Sequence, residues 1–116
     1  MHEAYLAERA LGFIEDYSRR EGVKSVSRIV FTLGKWSCVS QEAFAWVFAL
    51  AAKDTPAYGA ALHFETEEPR GRCRRCGGEV APRGEGKIPC PSCRAPDVQW
   101  ERGWEFGIRE LEVEYV

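Results

Sequence analysis

Residues 73–93 read Cys-Arg-Arg-Cys-Gly-Gly-Glu-Val-Ala-Pro-Arg-Gly-Glu-Gly-Lys-Ile-Pro-Cys-Pro-Ser-Cys. Two Cys-x-x-Cys pairs, Cys73/Cys76 and Cys90/Cys93, stand thirteen residues apart. Each pair can bend into a knuckle, and together they supply four soft thiolates able to close a tetrahedron around zinc. Gly77-Gly78 after the first pair and Pro91 inside the second suit the tight turns that aim backbone amides at sulfur. A site closed by four cysteines leaves no position for water or substrate, so the zinc expected here is structural. A rubredoxin-like iron site and a redox dithiol are the competing readings. Four thiolates on a dication leave a net charge of −2. Arg72, Arg74, Arg75 and Arg94 lie beside the ligands and can offset it.

Outward from the cysteines the segment is basic. Residues 70–103 carry eight Lys/Arg against four Asp/Glu, a net +4; the whole chain is −2, which leaves −6 for the rest. A basic zinc ribbon often signals nucleic acid. Residues 70–99, however, contain no aromatic side chain on which bases could stack. Docking on an acidic protein, or simple neutralisation of the thiolates, explains the charge equally well.

On either side of the ribbon the pattern is α+β. Leu6, Ala10, Phe13, Ile14 and Tyr17 recur at helical spacing, predicting an amphipathic helix over 4–20 that stops at Gly22. Alternation of Ile29, Phe31 and Leu33 with Arg28, Val30 and Thr32 predicts a strand over 26–33. Ser40 is a fair N-cap for a helix over 41–53, whose Phe44, Trp46, Val47, Phe48 and Leu50 predict heavy burial. A strand is expected at 60–66 and a last one at 104–116. That last strand changes parity between Ile108 and Leu111, predicting a bulge or break near Arg109-Glu110. The expected fold is a small three-stranded sheet with two helices on one face and a zinc-ribbon module inserted before the final strand. The domain reading assigns 1–69 together with 104–116 to one α/β domain and 70–103 to a zinc-binding domain.

With 116 residues, 45 % hydrophobic and 29 % charged, the composition is globular. The longest apolar run, Ala43 to Ala52, is about half of the roughly 20 residues a spanning helix needs. Charges occupy the N-terminus where an export signal would be apolar, so the expected location is the cytoplasm, which also favours metal over disulfide for the cysteines. No GxxxxGK[ST] loop, HExxH motif or nucleophile with a plausible histidine partner is present, and the chain is read as a non-enzyme. Cys38, in the Trp36-Ser37-Cys38 turn, is expected to be a small, partly buried side chain.

Of two histidines, His63 falls on the outer side of a strand, whereas His2 adjoins the terminal amine. The amine, the His2 amide nitrogen and the imidazole can form fused chelate rings, an all-nitrogen set suited to Ni²⁺ or Cu²⁺. By itself this signal is weak, since histidine often falls near a chain start by chance.

Met1-His2-Glu3 opening a helix, the late cysteine pairs and the Leu111-Glu112-Val113-Glu114 ending together resemble the HypA family. So do Val39-x-x-Glu42-Ala43-Phe44, Lys53-x-Thr55, Gly59-Ala60 and Cys90-Pro91-x-Cys93, in this order along essentially the whole chain. The resemblance implies a nickel metallochaperone for maturation of [NiFe]-hydrogenase, and in some organisms of urease. It implies Ni²⁺ as transferred cargo at His2, with the Met1 amine and the backbone amides of His2 and Glu3 as co-ligands. It also implies zinc on Cys73, Cys76, Cys90 and Cys93, and the partners HypB, a nickel-handling GTPase, and the hydrogenase large subunit precursor. No membrane or nucleic-acid partner is implied. The other readings are a nucleic-acid-binding zinc-ribbon protein and a structural adaptor without nickel delivery.

Overall fold

The computed structural model describes residues 2–82 and 89–116. Met1, among the expected nickel ligands, and Arg83, Glu85 and Lys87 of the basic segment lie outside the described residues.

Helix α1 spans Glu3–Glu21 and ends at Gly22, whose φ of 70° is left-handed and whose N–H donates to the Ser18 carbonyl. Glycine adopts that closing turn without a Cβ penalty. Arg19 and Arg20 occupy the last turn, where the helix dipole favours cations. The buried side differs from the expected stripe. It consists of Ala7, Ala10, Leu11, Ile14 and Ser18, whereas Phe13 is 49 % exposed and stacks on half-buried Tyr17 at 6.1 Å. Small side chains at a contact let a helix approach its neighbour closely. The two alanines take that position and the bulky rings are left at the rim.

Strand β1 (Val23–Gly34) leads to α2 (Gln41–Ala51), then come β2 (Ala61–Glu67), β3 (Arg70–Cys73), β4 (Glu79–Val80), β5 (Val98–Arg102) and β6 (Phe106–Tyr115). Two three-stranded sheets result, ordered β2-β1-β6 and β4-β3-β5. The expected α+β class, with the ribbon lying in sequence between the second and last strands of the first sheet, is the observed one. The ribbon's own sheet is an addition to it. By compactness the chain divides into two units: the residues through Thr32 with Val39–Glu65 and Gly107–Val116, and Leu33–Cys38 with Thr66–Phe106.

In the first unit the core is aromatic. Phe31 of β1 meets Phe44 edge-on at 4.9 Å, Phe48 at 5.8 Å and Phe64 of β2 in a stack at 5.5 Å. Phe31 and Phe44 are fully buried and Phe48 nearly so. Such rings stabilise through buried area and through edge-to-face geometry. Phe31→Ala is expected to cost about 3–5 kcal/mol, a large share of a small domain's stability. Denaturant unfolding checks this as a lowered midpoint with little change in slope.

Two expectations about this unit are corrected. Helix α2 is not heavily buried: only Phe44 and Phe48 are covered, and Trp46 and Leu50 are 68 % and 62 % exposed. Nor is β6 interrupted, since it runs unbroken from Phe106 to Tyr115. Burial still changes parity along it: Ile108 is half-buried, Arg109 and Glu110 are both exposed, and Leu111 and Val113 are again half-buried. Burial along the neighbouring β1 does not alternate strictly either: Val23 and Val26 have opposite parity, and Ile29, Val30 and Phe31 are all buried. Ser27 Oγ donates to the Glu112 carbonyl, and Arg28 pairs with Glu112 at 2.9 Å and Glu110 at 3.5 Å.

Candidate metal centre

The chain's second unit brings Cys73, Cys76, Cys90 and Cys93 together, with their four sulfurs within 4.8 Å of one another. The Cys73 and Cys93 sulfurs lie 3.5 Å apart and those of Cys76 and Cys90 3.6 Å apart. All are free thiols. A zinc–sulfur bond of about 2.3 Å in a tetrahedron implies sulfur–sulfur edges of about 3.8 Å. The donor set and its spacing therefore fit a closed metal site.

Two knuckles of the same design produce the cluster. In the first, Gly77 N–H donates to the Cys73 carbonyl and Cys73 N–H to the Gly78 carbonyl, both at 2.9 Å. In the second, Arg94 N–H donates to Cys90 at 2.7 Å and Cys90 N–H to Ala95 at 3.0 Å. Each knuckle thus has a left-handed residue four places after its first cysteine, Gly77 at φ 75° and Arg94 at φ 62°. Glycine takes this conformation freely, whereas arginine occupies it against its Cβ. Antiparallel pairing of β3 with β4 and with β5 carries the first knuckle. Cys73 and Cys90 are buried with Val80 and Ala95, and Cys93, Val98 and Trp100 pack around them, while Cys76 is exposed.

The thiols are electrostatically unlike. The Cys93 amide, aimed at the Cys90 sulfur, is the main reason that thiol falls to about 6. Cys73 is also lowered, chiefly by the Cys76 amide, whose N–H reaches its sulfur at 3.5 Å. Cys76 feels the Gly78 amide pulling down, but Cys90, Cys73, burial and Cys93 outweigh it and push the thiol up to about 11. Crowded thiolates repel, so the cluster retains protons that a bound cation would displace.

Around the cluster Arg70 pairs with Glu79, Arg72 with Glu101 and Arg74 with Asp97, at 3.5–3.9 Å. Arg72 also donates to the Gly77 carbonyl at 3.0 Å. Arg75, Arg94 and Arg102 have no ion partner among the described residues. Trp36 meets Trp100 edge-on at 5.0 Å and Trp104 at 5.5 Å. The expected burial of Cys38 is not found. It is exposed, at φ 62°, with Sγ 3.7 Å from the Trp36 carbonyl.

At the other candidate site, His2 is exposed and holds the N-cap position of α1 without a side-chain cap bond; its carbonyl accepts from Leu6 N–H at 3.0 Å. Glu3, the first helical residue, is only 8 % exposed, and its carboxylate accepts from Ser40 N–H at 3.1 Å. Ser40 in turn caps α2 by accepting from Ala43 N–H at 3.1 Å. One carboxylate thus ties the start of α1 to the start of α2. The N-cap role of Ser40 follows from local sequence, but its partnership with Glu3 spans 37 residues and leaves no local signal.

Residues 1–113 match the family model described as "Hydrogenase/urease nickel incorporation, metallochaperone, hypA". Curated relatives include hydrogenase maturation factor HypA of Chlorobaculum parvum, 37 % identical over 98 % of this chain and 100 % of the relative. That of Escherichia coli is 31 % identical over 98 % of both. The fold is similar to the solution structure of the Ni metallochaperone HypA from Helicobacter pylori, with a TM-score of 0.77 at 20 % identity over 100 % of both chains. Together with the four-cysteine cluster, whole-chain matches of this strength mean that the chain belongs to the HypA family of hydrogenase maturation nickel metallochaperones.

Proposed function

We propose that this protein captures Ni²⁺ at its N-terminus and delivers it for assembly of [NiFe]-hydrogenase. The observation that supports this most is the place of His2, exposed at the N-cap with no partner for its imidazole among the described residues and the helix starting at the next residue. The amides of His2 and Glu3 belong to the opening turn, whose N–H groups have no intrahelical acceptor. Loss of their protons would turn these nitrogens into ligands, with the Met1 amine and the imidazole completing a nitrogen set. Two amidate charges would cancel the charge of the ion, and the positive end of the α1 dipole favours that ionisation. The side chain of Glu3, which accepts from Ser40 N–H, would hold the backbone beside the site.

In this reading Cys73, Cys76, Cys90 and Cys93 hold zinc permanently, giving residues 70–103 a zinc-binding role and 1–69 with 104–116 the nickel-binding role. Zinc supplies cross-linking there, with no chemistry of its own. The partners are a HypB-type GTPase as nickel source or helper and the hydrogenase large subunit precursor as recipient, in the cytoplasm; urease is a second possible client. No helix among the described residues is long and apolar enough to cross a membrane.

Calorimetric nickel titration of zinc-loaded protein tests the reading. A native N-terminus should bind one Ni²⁺ per chain, and a short N-terminal extension should remove binding by converting the amine to an amide. Equal binding by both would place the site elsewhere, with Cys38 or the zinc thiolates as the next candidates.

A further inference from the structure

The two cysteine knuckles are built alike but are not covered alike. Counted from the first cysteine of each, Cys76 corresponds to Cys93, Gly77 to Arg94 and Gly78 to Ala95. Both knuckles share the left-handed turn and the same pair of backbone hydrogen bonds. They differ at the last of these positions. Ala95 is buried with Cys73, Val80 and Cys90, and Cys93 in the same knuckle is half-buried. Gly78 has no side chain, and Cys76 is exposed. A Cβ built at Gly78 would meet the Cys76 sulfur at 3.3 Å. The absence of that methyl leaves one side of the sulfur open.

Four thiolates surround a bound cation, so protonation does not rank the sulfurs and access does. Cys73 and Cys90 are buried. Each also receives two backbone amides, those of Cys76 and Arg75 on Cys73 and those of Cys93 and Ser92 on Cys90. Such donors draw charge from a sulfur and make it a poorer nucleophile. Cys76 is the exposed member of the four, and the Cys90 sulfur lies 3.6 Å from its own, on the other knuckle. A solvent-accessible thiolate with a second sulfur in contact is the arrangement of an oxidant-sensitive pair.

We propose that Cys76 is a site of oxidation by hydrogen peroxide, and that this oxidation, completed by Cys90, empties the zinc centre. The Cys76 thiolate attacks one peroxide oxygen; the O–O bond breaks, hydroxide leaves and the sulfur becomes a sulfenic acid. The Cys90 sulfur then attacks it, the S–O bond breaks and a second hydroxide leaves, forming a Cys76–Cys90 disulfide. The two thiolates have lost two electrons and the peroxide has gained them. Cys73 and Cys93 remain, two ligands where a closed site needs four. The inference rests on the zinc reading, concerns the loaded and reduced ribbon, and is independent of the nickel site.

Zinc-loaded full-length protein carrying Cys38→Ser tests it, the substitution removing the exposed thiol outside the cluster. Elemental analysis before any oxidant is added checks the zinc reading by itself. A chain without zinc at that stage fails both readings; a loaded chain that keeps its zinc under excess peroxide fails only this one. With hydrogen peroxide and a chromophoric chelator, zinc should be released. Peptide maps should show Cys76–Cys90 as the first disulfide, and dithiothreitol with added zinc should reverse the change. Gly78→Ala gives the first knuckle the methyl of the second and should slow release about threefold at full zinc content, since susceptibility follows exposure. Labelling of the loaded protein with N-ethylmaleimide should reach Cys76 before the other three; it needs no change at Gly78 and decides alone if Gly78→Ala does not load. First oxidation or labelling at Cys73, Cys90 or Cys93, or release from loaded Gly78→Ala as fast as from its parent, would overturn the proposal.

Discussion

Cys90→Ser is expected to deprive the ribbon of its metal and to disorder it as a unit, while the core around Phe31 remains folded. The ribbon's own resources are small. Among the described residues Val80 and Ala95 are its buried apolar side chains apart from the two cysteines, and β4 is two residues long. Burying a valine contributes about 1.5–3 kcal/mol, against apparent values of about 10–16 kcal/mol for structural zinc at neutral pH. Backbone order in 70–82 and 89–102 consequently depends on the metal. Elemental analysis should find one zinc per chain in the parent and none in the variant. Near-ultraviolet circular dichroism should lose the signal of Trp36, Trp100 and Trp104, which rest on the ribbon through Trp100. A variant that kept both its zinc and that signal would show that three cysteines suffice, or that the ribbon folds without metal.

The same cluster should bind zinc with a defined proton balance. Near pH 7 the Cys90 thiol, lowered to about 6, is already largely ionised, whereas Cys76, raised to about 11, keeps its proton. Zinc binding must then expel at least the Cys76 proton. As pH falls through 6, Cys90 becomes protonated as well, and the ion must displace a further proton. Affinity therefore falls with falling pH, more steeply below 6 than above it. Competition with a chelator across this range, with proton release followed in two buffers of different ionisation enthalpy, measures both effects.

The ribbon site was legible in the sequence because its chemistry is local. Two Cys-x-x-Cys pairs name all four ligands, and only the loop between them must close. The helices and the three long strands were legible for the same reason, since their periodicities extend over enough residues to register. What was missed depends on distance or on competition. The strands β3, β4 and β5 are two to five residues long, too short for alternation to show, and are held by the knuckles more than by propensity. Helical periodicity gave the existence of α1 but misplaced its face, because hydrophobicity alone cannot distinguish a close alanine contact from a rim of aromatic rings. For α2, an apolar sequence was read as buried, although apolarity on a surface can equally be an unpartnered interface. The tie between Glu3 and Ser40 is tertiary and had no sequence signature.

Replacing His2 with alanine is expected to weaken nickel binding by more than about 100-fold, since even an outer-shell partner of a ligand is worth 10–100-fold and this change removes a ligand itself. The fold should not register it. His2 is exposed, caps nothing with its side chain, and surface changes of this kind usually stay within about 0.5 kcal/mol. Zinc content should likewise be unchanged, because no zinc ligand lies near it in sequence and the cysteine cluster is complete without it. Glu3→Gln gives a different pattern that separates ligation from positioning. It leaves every proposed nitrogen ligand in place but weakens the bond to Ser40 by removing its charge, so it should lower stability measurably and nickel affinity only modestly. Binding in the parent should weaken as pH falls below neutrality, because each ligand nitrogen must be free of its proton. Calorimetry with Ni²⁺ on the parent, His2→Ala and Glu3→Gln, each checked for zinc content and melting temperature, reads all of this at once. Unchanged nickel affinity in His2→Ala would remove the N-terminal site from consideration. A loss in Glu3→Gln as deep as in His2→Ala, without a drop in stability, would make the carboxylate a ligand in its own right.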